Sequence, residues 1–133
     1  MGLTRPIRAS VAEGGPLTRL DRLRDSSWSP ITQAMVASID LDVYSLSQAA
    51  GSAPVYSANP AVSTTIFNSL QTDQNGQMWR VDSVGYNFKV IIPGSAWPQG
   101  PVQCRVEIVL SMVGGDKVPL VPMIVDVEGM RSL

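Results

Sequence analysis

Cys104 is the single cysteine of a 133-residue chain that contains no histidine. Serine and cysteine nucleophiles usually rely on an imidazole base, and zinc sites rely on His or clustered Cys, so the common forms of both chemistries are excluded. One thiol also excludes an intrachain disulfide. Lys89 and Lys117 are the only lysines available for a Ser-Lys arrangement. The first lies in an alternating apolar run and the second in a turn, and neither assembles a nucleophile, a base and oxyanion donors in one place. The expectation is a protein with no enzymatic activity and no cofactor.

The remaining candidates are carboxylates and aromatic rings. Asp40 and Asp42 stand two residues apart, so a strand places both on one side, where a hard cation could bridge them. A solvated strand face accounts for the pair without a metal. Asp73-Gln74-Asn75-Gly76 resembles the start of a calcium loop, but its Gly comes too early and Val84 stands where the bidentate Glu is needed. A hairpin turn at Asn75-Gly76 is the simpler reading, because both residues tolerate positive φ. Trp28, Trp79 and Trp97 could stack on sugars or bases. Trp79 and Trp97 are read as core plugs, on the tendency of Trp to be buried. Trp28 is poised between core and interface.

These residues must be positioned by one small core, since the length suits a single domain. Ten Lys and Arg face eleven Asp and Glu, for a net charge of −1, and charged types make up only 16 % of the chain. An average soluble domain carries about 25 %, so the surface is unusually uncharged. That balance argues against a nucleic-acid partner, which needs a basic face. No apolar run approaches the roughly 20 residues that cross a bilayer, and the start Met1-Gly2-Leu3-Thr4-Arg5-Pro6 lacks a signal-peptide pattern. Neither a membrane partner nor export is expected, and synthesis in the cytoplasm is.

From Ile31 onward the pattern is β. Met35, Ala37, Ile39, Leu41 and Val43 form one face of a strand, and Val62, Thr64 and Ile66 one face of another. A short strand is read at Val55-Ser57. Tyr86, Phe88, Val90 and Ile92 alternate with Asn87, Lys89 and Ile91, and Val102, Cys104, Val106, Ile108 and Leu110 line a further strand. Gly114-Gly115-Asp116-Lys117 turns the chain into a final strand whose Pro119 and Pro122 require a sheet edge or a break before Met123. Short strands joined by Gly- and Pro-rich turns indicate a β-sandwich of about seven antiparallel strands.

Residues 1–27 read differently, with five Arg against three acids, a local charge of +2. Pro6 and Gly14-Gly15-Pro16 break the segment, so it is expected to be an extended N-terminal arm outside the sandwich of residues 28–133. Leu17, Leu20 and Leu23 recur at a spacing of three and suit a short amphipathic helix. The arm, needed little for folding, is expected to bind a partner through Arg5, Arg8, Leu17, Arg19, Leu20, Arg22, Leu23 and Arg24, together with Trp28 at the junction.

Ile31-Thr32-Gln33-Ala34, Thr65-Ile66-Phe67-Asn68-Ser69-Leu70-Gln71-Thr72-Asp73, Met78-Trp79, Gly85-Tyr86-Asn87-Phe88, Ile92-Pro93 and Arg105-Val106-Glu107 together resemble small immunoglobulin-like virion proteins of tailed bacteriophages. The likeness spans Ile31 to Val127. It implies an immunoglobulin-like fold and a binding or structural role, and it transfers no catalytic residue. The implied function is that of a capsid decoration or cement subunit, localised to the virion. Its partners would be the major capsid protein or other virion subunits, including further copies of itself. Two alternatives stand beside it. One is a receptor- or carbohydrate-binding module of a tail, baseplate or bacterial surface, using Trp97 and Tyr56, and the other is a head-tail connector or tail component.

Overall fold

A computed structural model describes residues 6–72 and 84–129. Its strands in chain order are β1 (Ile7–Ala12), β2 (Leu17–Asp21), β3 (Val36–Ser45), β4 (Tyr56–Ala58), β5 (Ile66–Gln71), β6 (Tyr86–Ile92), β7 (Val102–Met112), β8 (Lys117–Pro119) and β9 (Met123–Glu128), with one turn of α-helix, α1 (Val62–Thr65), and two 3-10 turns at Gln33–Met35 and Gly94–Ala96. They form two sheets. The larger runs β1-β9-β7-β3-β4, with β8 also on β7, and the smaller runs β2-β6-β5.

The two longest strands follow their sequence periodicity. Along β7 the residues Cys104, Val106, Ile108 and Leu110 are buried and their neighbours half-buried or exposed, as a period of two demands of a strand with one face on a core. β3 lies antiparallel to it, with Leu41 opposite Ile108 and Val43 opposite Val106. At the start of β3 the expected face does not hold. The register shifts between Val36 and Ser38, so Val36 is buried while Ala37 is exposed and Met35 only half-buried. An extra residue in one strand of a pair reverses the direction of every side chain before it.

Beyond the Gly114-Gly115 turn, Pro119 and Pro122 break the last strand in two. β8 pairs with Val109–Ser111 and β9 with Val102–Val106, both on the same side of β7. Leu120 bridges the break, its N–H donating to the Ile108 carbonyl at 2.8 Å. The strand expected at Val62 is corrected: Val62–Thr65 forms α1, and β5 starts only at Ile66. The Asn75-Gly76 turn and Trp79 lie outside the described residues.

The N-terminal arm is the largest correction. β1 lies parallel on β9, with Val11 beside Val127, and β2 lies antiparallel on β6, with Leu17 opposite Ile92. Residues 7–21 are thus part of both sheets. The amphipathic helix expected at Leu17, Leu20 and Leu23 is replaced by β2 and the segment after it. Leu17 and Leu23 pack against the core, whereas Leu20 sits on the opposite face of β2, beside Lys89. Strand edges explain the outcome: β9 and β6 each present a row of backbone groups that β1 and β2 satisfy. The intervening turn is locked as well. Gly14 adopts φ +80°, and a Cβ on Gly94 would stand 2.0 Å from the Gly14 carbonyl oxygen. Buried Trp97 donates its indole N–H to the Gly15 carbonyl at 2.9 Å, and Glu13 accepts the Gly100 N–H at 2.9 Å.

Candidate partner-binding site

The chain leaves β2 at Asp21 and enters β3 at Val36. Between them, Leu23 to Ile31 makes a small hairpin that stands off the smaller sheet. Arg24 and Pro30 form an isolated antiparallel bridge. The Asp25 N–H donates to the Ser29 carbonyl at 2.8 Å, and the Trp28 N–H donates to the Asp25 carbonyl at 2.9 Å. Asp25 also accepts through one carboxylate oxygen from the Ser27 and Ser29 amides, at 2.8 and 3.0 Å. That Asx-type bonding is what an Asp-Ser-Ser sequence favours in a turn.

Trp28 sits at the tip. Its backbone φ is 65°, the left-handed region that a bulky residue rarely occupies, and the residue is 75 % exposed. Arg24 holds it there. One Nη donates to the Trp28 carbonyl at 3.0 Å, and the guanidinium carbon lies 5.8 Å from the ring centroid. Such a cation–π contact fixes the ring's orientation while leaving much of its surface open.

The base of the hairpin is fastened by Asn87, which is 1 % exposed. Its amide oxygen accepts the Leu23 N–H at 2.7 Å, and its NH₂ donates to the Leu23 and Ile31 carbonyls at 2.9 and 3.0 Å. The Ile31 N–H closes the ring of contacts onto the Leu23 carbonyl at 3.0 Å. Arg22 adds a bond from Nη1 to the Gly85 carbonyl at 3.3 Å. The anchor is therefore rigid and the tip is aromatic.

Of the residues expected to bind a partner, Arg24 and Trp28 come together at this tip, with Arg22 and Leu23 at its base. The others do not join them. Arg8 is exposed on β1, and Arg5 lies outside the described residues. Arg19 is 5 % exposed and faces inward opposite Val90. It pairs with Asp21, Nε to Oδ2 at 2.6 Å, and its Nη1 is buried with no hydrogen-bond partner among the described residues. A rim arginine that pairs with a neighbour's carboxylate is thus ruled out at this position. Leu17 and Leu23 are likewise committed to the core.

The aromatic platform suggested by Trp97 and Tyr56 is not present as one. Trp97 is buried, and Tyr56 is half-buried against the core in β4. Asp40 and Asp42 accept hydrogen bonds from Asn59 and Ser57. Among the described residues no group of three His, Cys, Asp or Glu could hold a metal ion, and no helix is long and apolar enough to cross a membrane. Sequence pattern alone does not single out Asn87, although an amide within Tyr86-Asn87-Phe88 signals that something polar must meet it. No protein-family model, curated protein or solved structure matches the chain.

Proposed function

We propose that the chain is a non-enzymatic structural protein of a tailed-phage virion, an immunoglobulin-like decoration subunit that docks on the head surface through the Trp28 hairpin. The strand order supports the immunoglobulin-like part. β3, β7 and β9 with the added β4 correspond to strands C, F, G and C′, and β2, β6 and β5 correspond to B, E and D. The virion part rests on the resemblance over Ile31–Val127. Docking is assigned to the hairpin because residues 7–21 are occupied within the sheets and cannot reach across a neighbour.

The observation that carries the reading is Trp28, held 75 % exposed on a hairpin whose base is clamped by a buried amide. Exposed, rigid aromatic residues beside an arginine are the anchors on which interfaces concentrate their energy. A low surface charge fits contact with other subunits better than contact with a polyanion. The test is co-sedimentation of the purified protein with heads of the source phage, run beside a glycan array. Saturable binding to heads with no glycan signal is expected. Glycan binding without head binding would instead make it a receptor module.

A further inference from the structure

We propose that a cleft between β4 and β6 receives an extended strand from another polypeptide, with a carboxylate of that strand at Lys89. The cleft has a volume of about 480 Å³ and is walled by Tyr56 and Ala58 on one side and by Lys89 to Pro93 on the other. Leu41 and Phe67 contribute further apolar surface. The inference is independent of the Trp28 hairpin and of the virion reading.

The argument starts from backbone groups. On one side β6 is paired with β2 throughout Phe88–Ile92. On its other side β5 meets it at Phe88 and Tyr86, so among the described residues no strand lies beside Lys89 to Ile92 there. Among the described residues β4 is the last strand of the larger sheet, with β3 as its single neighbour. Both walls of the cleft therefore carry open strand edges, and the two sheets fail to close over it. The chain crosses from β4 through α1 to β5, so that Asn59 to Thr65 shut one end, where Ile66 meets Phe88.

An open edge presents alternating N–H and C=O groups at a repeat of two residues, about 7 Å. Another polypeptide backbone matches that repeat, whereas a lipid chain offers no hydrogen bonds and a sugar lacks the spacing. Strand addition with apolar side chains in flanking pockets is the corresponding recognition mode. The charge is set by Lys89, which is half-buried and makes no ion pair among the described residues. A carboxylate on the incoming strand complements it. With apolar walls, the occupant is a strand that alternates apolar residues with an acidic one.

The probe is a fluorescein-labelled hexapeptide alternating valine with aspartate, followed by fluorescence anisotropy and by amide hydrogen exchange of the full chain. Saturable binding is expected, with slowed exchange confined to residues 56–58 and 89–92. Lys89→Glu should weaken binding by about tenfold or more and Lys89→Gln by less, since a tenfold change corresponds to about 1.4 kcal/mol. A peptide with proline replacing alternate valines should not bind, because it cannot donate to the edge. Absence of binding at millimolar peptide would overturn the proposal, as would equal binding of the proline peptide or an unchanged affinity in Lys89→Glu. Concentration-dependent self-association of the protein alone, abolished by Lys89→Glu, would also overturn it and make a second copy the occupant.

Discussion

Trp28 occupies a backbone conformation that glycine tolerates at no steric cost and that costs other residues of the order of 1–3 kcal/mol. Few apolar contacts offset that cost, because the residue is three-quarters exposed to water. Trp28→Gly should therefore leave the melting temperature unchanged or slightly raised. A fall of several degrees would mean that the ring is needed for folding. Asn87 behaves in the opposite sense. Asn87→Leu strips partners from the Leu23 N–H and from the Leu23 and Ile31 carbonyls, and an unsatisfied buried group costs about 1–3 kcal/mol. Because the Ile31 N–H still reaches the Leu23 carbonyl, a net loss of about 3 kcal/mol is expected in denaturant unfolding. Cys104 is fully buried, and burial pushes its thiol pKa up. The native thiol should resist labelling at neutral pH. As the pH rises past the unfolded thiol's pKa, about 8.5, the unfolded chain loses its proton first, so stability should decline toward alkaline pH.

At the scale of elements, the N-terminal strands decide what the hairpin can do. β2 leads directly into it and β1 completes the larger sheet beside β9. Deleting residues 1–21 would leave the β6 edge opposite β2 unpaired and uncover Val125, Val127 and Val90. The truncated protein should be unfolded or aggregated by circular dichroism and size exclusion; a cooperative, monomeric fold would return the segment to the role of an arm. The sequence made β7 legible because its alternation persists over nine residues, from Val102 to Leu110, which no helix can imitate. It made the Pro-broken end of the chain legible through Pro119 and Pro122. It hid β2, since three leucines at a spacing of three fit a helical turn as well as they fit Leu17 inward, Leu20 outward and Leu23 beyond the strand. Arg19 adds to the ambiguity, because a charged residue reads as solvent-facing until its partner, Asp21 on the same face, is seen beside it. The bulge near Ala37 is hidden for a similar reason, because it belongs to the pairing of β3 with the distant β7.

For the whole molecule, the division of labour is between a buried apolar core and open surface features such as the Trp28 tip and the cleft beside β6. The candidate site was half legible. Arg24 and Trp28 could be singled out by residue type, but their clamp comes from a strand more than fifty residues away, and no local pattern encodes that distance. The claim that the hairpin is the docking element is tested most directly by co-sedimenting Trp28→Gly and the wild type with purified phage heads, each shown to be folded with an equal melting temperature. Loss of a central aromatic anchor typically costs about 2 kcal/mol or more, so affinity should fall by about 30-fold. Equal binding of the two proteins to heads would contradict the account.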